Sequence, residues 1–325
     1  EEIQSIYFGG GTPSLLEVSE LNTILQIIEQ HYKVCDSSEI TLEANPDDLN
    51  LEKVKALSNT KINRLSIGIQ SFNESDLKAM NRAHNTTEAK RCLEIATSYF
   101  DNITIDLLFG MPTMSEEQWR QNLQTAFGFG IKHLSCYALT VEPKTALEHF
   151  IKKGSHPPMN EELSAKHFEV LLEETQTQGL THYETCSFGL TGYFSRHNTS
   201  YWLGKSYMGV GPSAHSFDGK SRSWNISNNT KYIKSLEANK RPFESEVLSL
   251  ENRFNEYIMT GLRTIWGVSL EKIETDFGLV IKNQLLDNSE KFRASKMLVI
   301  EGNYLKITQT GKFLSDGIAS DLFLV

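Results

Sequence analysis

IQSIYFGGGTPSLL, residues 3–16, carries the decisive signal of the chain. Ile3 to Phe8 mixes β-branched and aromatic residues, which favour an extended strand. Three glycines follow at once, and a residue without Cβ lets the backbone take positive φ or approach another group closely. Thr12-Pro13-Ser14 then stiffens the chain, because proline fixes φ and favours a turn. A strand ending in such a loop before a helical pattern is one strand–helix unit.

The unit recurs down the chain. Further strands are read at EITLEA (39–44), RLSIGI (64–69), ITIDLLF (103–109), HLSCYAL (133–139) and HYETCSF (182–188). Between them lie helical patterns such as SELNTILQIIEQHY, where Leu21, Ile24, Leu25 and Ile28 share one face and Ser19 is the expected N-cap. TEAKRCLEIATSYF and SEEQWRQNLQTAF are two others. Alternation of this kind predicts a parallel sheet with crossover helices. Six repeats suit an α/β fold of the incomplete (β/α)6 barrel type, in which the carboxyl ends of the strands carry the chemistry.

Each of the first four strand ends offers a polar or glycine-rich group: Gly9-Gly10-Gly11-Thr12, Glu43-Ala44-Asn45-Pro46, Gln70-Ser71-Phe72, and Asp106 followed by Gly110-Met111-Pro112. Taken singly, a glycine run is a turn and a carboxylate is a loop or hydrogen-bonding residue. Converging on one barrel mouth, they offer N–H donors, hydroxyl-binding carboxylates and an amide, an inventory that suits a nucleoside with an amino-acid end. A sugar phosphate is compatible with the same inventory.

Composition narrows the field. The chain has 325 residues, 39% of them hydrophobic, enough for one large core and a smaller second one. Its net charge of −9, from 32 basic and 41 acidic residues, argues against a nucleic-acid partner. No apolar run approaches the ~20 residues that span a bilayer, and residues 1–20 lack the basic-then-apolar pattern of a signal peptide. The expectation is a cytoplasmic protein that would reach a membrane only through a protein partner. Cys35, Cys92, Cys136 and Cys186 show no CxxC spacing and read as reduced thiols.

The stretches YFGGGTPS, EANPDD, RLSIGIQSF, LKAMNRAHN, IDLLFGMP and SRHNTSYW, in that order, resemble the radical S-adenosylmethionine (SAM) family of oxygen-independent coproporphyrinogen III oxidase. The likeness covers nearly the whole chain and is strongest to the family's heme chaperone branch, HemW. The resemblance implies a SAM site. Gly9, Gly10, Gly11 and Thr12 would approach the methionine end, Glu43, Gln70 and Asp106 would hold the ribose and its neighbours, Arg82 would lie near the SAM carboxylate or ribose, and Gly110 would leave room beside the adenosine.

The family also places a CxxxCxxC loop after its first barrel strand, where three thiolates hold a [4Fe-4S] cluster. No such spacing occurs here, and the chain opens on Glu-Glu-Ile. The resemblance therefore implies that the first strand and cluster loop precede Glu1 in the intact protein, and that the cluster belongs to that protein alone.

SRHNTSYWLGKSYMGVGPSAHSF (195–217) sets His197 beside Tyr201 and Trp202, an imidazole near large flat rings, the type of environment that holds heme. The same residues would also serve as a loop packed over the barrel mouth. An H-N-x-x-Y-W stretch resembles the chaperone branch, which implies heme and acceptor hemoproteins as partners; His215 is a second candidate ligand. Residues 1–242 are read as the barrel and 243–325 as a small domain, in which helices at 249–266 and 270–277, a hairpin over 297–308 and a last helix from about Gln309 suggest a winged-helix-like module. Two functions stay open: heme chaperone, or oxidative decarboxylation of coproporphyrinogen propionates. A sugar-phosphate enzyme is disfavoured because Glu43, Gln70, Arg82 and Asp106 fit the SAM pattern together.

Overall fold

In a computed structural model, residues 2–154 and 157–324 are described. Five strands lie parallel and side by side in chain order: β1 (Ile3–Phe8), β2 (Val34–Ala44), β3 (Arg64–Gln70), β4 (Ile103–Phe109) and β5 (His133–Ala138). The crossovers carry α1 (Val18–His31), α2 (Leu51–Leu57), α3 (Glu74–Ala79), α4 (Thr86–Tyr99) and α5 (Glu116–Gly128). Beyond β5 come α6 (Ala146–Lys152), α7 (Glu161–Thr177), β6 (Thr181–Glu184) and β7 (Ser187–Gly189).

The sheet order is β1-β2-β3-β4-β5-β7-β6, an open, curled half-barrel of 7 strands, and the incomplete barrel expected from the repeats is what is observed. HYETCSF differs from its reading as one strand. It folds into two antiparallel strands, β6 and β7, and β7 runs antiparallel to β5. The reversal lies at Thr185-Cys186, where the Cys186 carbonyl accepts from Cys136 N at 2.7 Å and the Cys186 amide donates to Glu184 Oε2 at 3.3 Å.

Strand alternation divides the sheet into two chemistries. Ile40, Leu42, Leu65, Ile67, Ile103, Ile105, Leu107, Leu134 and Cys136 are buried in one apolar core with Leu21, Leu25, Leu93, Trp119 and Leu123 of the helices. The residues between them, Glu39, Thr41, Glu43, Arg64, Ser66, Thr104, Asp106, His133 and Ser135, give the opposite face an almost wholly polar lining. Helix α1 begins two residues earlier than Ser19 implied: its N-cap is Glu17, whose amide donates to Glu20 Oε2 at 2.8 Å in a reciprocal capping box.

By packing, the chain parts into two compact units, Glu1–His197 and Asn198–Val325, while α8 (Arg196–Trp202) starts in the first and continues into the second. The division drawn near residue 242 follows the end of the strand–helix repeat instead. In the second unit, β8 (His215–Phe217), β9 (Ser221–Asn225) and β10 (Phe243–Val247) form an antiparallel sheet, with α9 (Asn229–Glu237) between β9 and β10 in sequence. Then follow α10 (Leu250–Leu262), β11 (Val268–Ser269), α11 (Leu270–Phe277), α12 (Leu279–Ala294), β12 (Leu298–Glu301), β13 (Tyr304–Ile307) and α13 (Ser315–Ser320). Phe254, Ile258, Leu262, Ile273, Leu285, Leu298, Leu305 and Ile318 make a core of their own under the sheet β11-β13-β12, the helix-then-hairpin module expected.

Candidate functional site

The polar face of the first unit ends in the glycine loop. Gly9, Gly10 and Gly11 are exposed, and Gly10 and Gly11 take φ of 74° and 125°, values that disfavour any L side chain. A Cβ on either would meet nothing within 4 Å, so the loop walls an open space. Gly9 is required for a different reason: its Cβ would stand 2.7 Å from the Tyr7 ring and 3.1 Å from the Glu43 carboxyl carbon. Glu43 is the hub, accepting from the Tyr7 hydroxyl at 2.8 Å and from the Gly10 amide at 3.2 Å. The Thr12 carbonyl accepts from Leu15 N at 3.0 Å and closes the turn that follows, while its side chain makes no capping bond there.

Gln70, at the end of β3, is held at φ 66°, a strained position for a residue with a side chain. Arg82 reaches back to the same spot, donating to Asn45 Oδ1 at 3.1 Å and to the Gly68 carbonyl at 3.2 Å. A Cβ on Gly68 would lie 3.0 Å from Gln70 Nε2 and 3.3 Å from Arg82 Nη2, which places these two side chains together over β3. Asp106 on β4 feels both Glu43 and Arg82. Its carboxyl is pushed up to about 7, by burial first and by the Glu43 carboxylate second, against the opposing pull of Arg64, a bond to Ser135, and Arg82. Glu43, Gln70, Arg82 and Asp106 thus converge with the glycine loop on the polar face.

Gly110 stands apart from them. It is buried with φ 78°, its amide donates to His167 Nδ1 at 3.0 Å, and a Cβ would lie 2.8 Å from Ser164 Oγ of α7. Close helix packing accounts for glycine there.

His197 sits at the start of α8 and is half-buried against β1, its Nδ1 2.9 Å from Ser5 Oγ and its ring stacked on Tyr7 at 4.7 Å and 21°. Burial drops its pKa to about 4, so the imidazole is neutral at pH 7. Tyr201 is turned edge-on to Tyr207 at 4.6 Å, and Trp202 lies under the Arg263 guanidinium at 5.8 Å, both within the second unit. His215 is exposed on β8 with its ring 6.2 Å from that of Trp224. Tyr7, Glu39 and Arg64, absent from the sequence-derived candidates, all bear on this region. Their signal was the every-second-residue polarity of strands whose other face is apolar.

Comparison with known proteins supplies the family. The radical SAM superfamily profile matches residues 1–126, and the HemN C-terminal domain profile matches residues 248–314. The heme chaperone HemW of Bacillus subtilis is 31% identical over 322 residues, 98% of this chain and 84% of its own length. This chain belongs to the HemW family of radical SAM proteins. HemW of Lactococcus lactis is 30% identical over 325 residues, 100% of this chain and 86% of its own length. Among solved structures, coproporphyrinogen III oxidase (HemN) from Escherichia coli, a radical SAM enzyme, superposes with a TM-score of 0.85 at 18% identity, covering 99% of this chain and 78% of that one. At that identity the likeness shows a shared fold.

Radical SAM membership brings SAM and a [4Fe-4S] cluster as the family's cofactors. The residues fit SAM: the open cradle at Gly10 and Gly11 and the strand-end carboxylates match its charged and hydroxylated ends. They do not fit the cluster. Among the described residues no group of three or more His, Cys, Asp or Glu can hold a metal, and Cys35, Cys92, Cys136 and Cys186 lie far apart in the sequence with no CxxxCxxC spacing. Among the described residues no helix is long and apolar enough to cross a membrane.

Proposed function

We propose that this HemW-family protein binds heme and hands it to acceptor hemoproteins, on a barrel that retains a SAM pocket. The observation that carries the reading is similarity to the HemW chaperones along the whole chain, with the His-Asn-Thr-Ser-Tyr-Trp stretch intact as α8. In this reading His197, kept neutral by burial, is the candidate iron ligand or heme-orienting group, Tyr201 and Trp202 contribute flat rings, and exposed His215 is the next candidate. Gly9 to Gly11 and Thr12 line the methionine end of SAM, and Glu43, Gln70, Arg82 and Asp106 hold its ribose and polar neighbours. Gly110, which packs against Ser164 of α7, would leave room beside the adenosine in this reading. When bound, SAM with its cluster supplies one-electron chemistry at a sulfonium centre.

Two assays on the intact protein decide the matter. Heme titration should show tight binding in the wild type and a shifted Soret band in His197→Ala. Anaerobic incubation with coproporphyrinogen III, SAM and a reductant should leave the porphyrinogen unchanged. Steady formation of decarboxylated product would overthrow the chaperone reading in favour of the oxidase. An identical heme spectrum and affinity in His197→Ala would remove His197 from the heme site and direct the test to His215.

A further inference from the structure

Helix α8 contains only seven residues, Arg196–Trp202, too few to be stable without outside contacts. Just before its first turn, the Ser195 hydroxyl donates to Glu39 Oε1 at 3.4 Å. The acceptor for the helix start comes from β2, more than 150 residues away in sequence. Glu39 Oε2 accepts from the Arg196 amide at 2.9 Å, and Glu39 Oε1 from the His197 amide at 2.9 Å. Both donors are first-turn N–H groups with no partner inside the helix, and a carboxylate is the acceptor that best complements them.

The arrangement is buried and braced. Glu39 and Arg64 are each about 2% exposed at the side chain and face one another at 4.0 Å, Nε to Oε2. Arg64 Nε and Nη2 have no hydrogen-bond partner, so the guanidinium acts on Glu39 as a buried counter-charge. The Arg196 guanidinium donates to the Ser37 carbonyl, and the Ser195 amide donates to the Tyr183 hydroxyl at 3.1 Å. Once the first turn is fixed in this way, the next side chain in line is His197, set against Ser5 and Tyr7.

We infer that Glu39 is a positioning residue for His197: its carboxylate, carried on β2 and braced by Arg64, fixes the first turn of α8 and so holds the imidazole in place on β1. The inference deepens the heme reading and rests on it for its functional meaning, but the placement itself is measurable without heme. Glutamine at 39 would keep one acceptor and turn an amide NH2 toward the second backbone N–H, donor against donor. The first turn of α8 would lose half of its anchor.

The test uses the full-length protein in two variants, Glu39→Gln and Glu39→Gln/Arg64→Met, the second removing the charge that the first leaves unpaired. Hydrogen exchange should show the Arg196 and His197 amides losing protection at least tenfold, with β3 and β4 amides unchanged in the double variant. The chemical shifts of the His197 ring protons supply a second readout, because the ring is stacked on Tyr7 at 4.7 Å and 21° and feels its ring current. If Glu39 positions the ring, those shifts move toward free-imidazole values in Glu39→Gln. If Glu39 were only a neighbouring negative charge, the stack and its shifts would persist. Retained protection of the two amides, or ring-proton shifts that stay at their wild-type values, overturns the inference. Heme titration of the same variants and of His197→Ala is scored separately. Loss of protection with unaltered heme binding in all three would keep the positioning role and reject the heme role of His197.

Discussion

The Tyr7 hydroxyl hydrogen-bonds Glu43 Oε1 at 2.8 Å, joining strand β1 to the glycine loop's carboxylate on β2. Burial first, and the Glu43 charge second, hold the Tyr7 phenol far above its ordinary range, so it stays a donor at every physiological pH. Glu43 therefore faces the open cradle with one oxygen already engaged by Tyr7 and the other by the Gly10 amide.

Glu43→Ala or Asp106→Ala should each weaken SAM binding at least tenfold. A hydrogen bond to a charged group contributes about 1.5–3 kcal/mol, and tenfold corresponds to about 1.4 kcal/mol. Calorimetry on cluster-loaded, full-length protein is the check; unchanged affinity in both variants would remove the two carboxylates from the site.

Asp106 gives a pH signature in the absence of ligand. Its native pKa of about 7 lies above the unfolded value of about 3.9, so between those limits the folded state holds the extra proton. The stability it contributes is therefore fully present below about pH 4 and is lost as pH rises to about 7. Asp106→Asn cannot titrate, so its urea midpoint should gain on the wild type from pH 4.5 to pH 8. A difference independent of pH across that range would refute the assignment. The comparison has to be made between variants, because buried His197 and His133, whose pKa values are lowered, shift the wild-type curve in the opposite sense.

Gly9→Ala forces a methyl against the Tyr7 ring and the Glu43 carboxyl, an overpacking that costs about 1–3 kcal/mol. A double-mutant cycle with Tyr7→Ala should show strong coupling, since removing the ring removes most of the collision. Additive losses in urea unfolding would place the strain elsewhere.

Tyr183→Phe removes a hydroxyl that meets His133 Nε2 at 2.8 Å and accepts from the Ser195 amide at 3.1 Å, while His133 Nδ1 lies 2.6 Å from Thr104 Oγ1. The cost expected from the stranded partners is about 1–3 kcal/mol, read from urea unfolding. A loss below about 0.5 kcal/mol, the size of an ordinary surface change, would show that the chain of bonds is not shared.

Much of this fold is written in the order of its strands. RLSIGI and ITIDLLF are short apolar runs bounded by turn residues, and the strand-end groups Glu43, Gln70 and Asp106 could be named because the barrel rule says where to look. Tyr7, Glu39 and Arg64 escaped notice because they lie within their strands rather than at the strand ends, and only the register of β1, β2 and β3 shows which of them share a face. Thr185-Cys186 lacks the glycine, proline or asparagine that marks a turn, so HYETCSF read as one strand. Helix α12 went unseen because its pattern is weak, with only Leu285 and Ser289 fully buried.

The order β1-β2-β3-β4-β5 bears on how the chain assembles as it emerges from the ribosome. Each of β2 to β5 pairs with the strand made just before it, so each new strand–helix unit can dock on an edge that already exists, and the sheet can lengthen in step with synthesis. The rule breaks at the far side. Strand β6 is made before β7 yet lies outside it, so β6 has no place to dock until the Thr185-Cys186 turn has brought β7 back against β5. The last twenty residues of the first unit also deliver Ser195 and Arg196 to Glu39, a β2 residue made early. That carboxylate must wait, solvated, for most of the unit to be translated before it is sealed beneath α8.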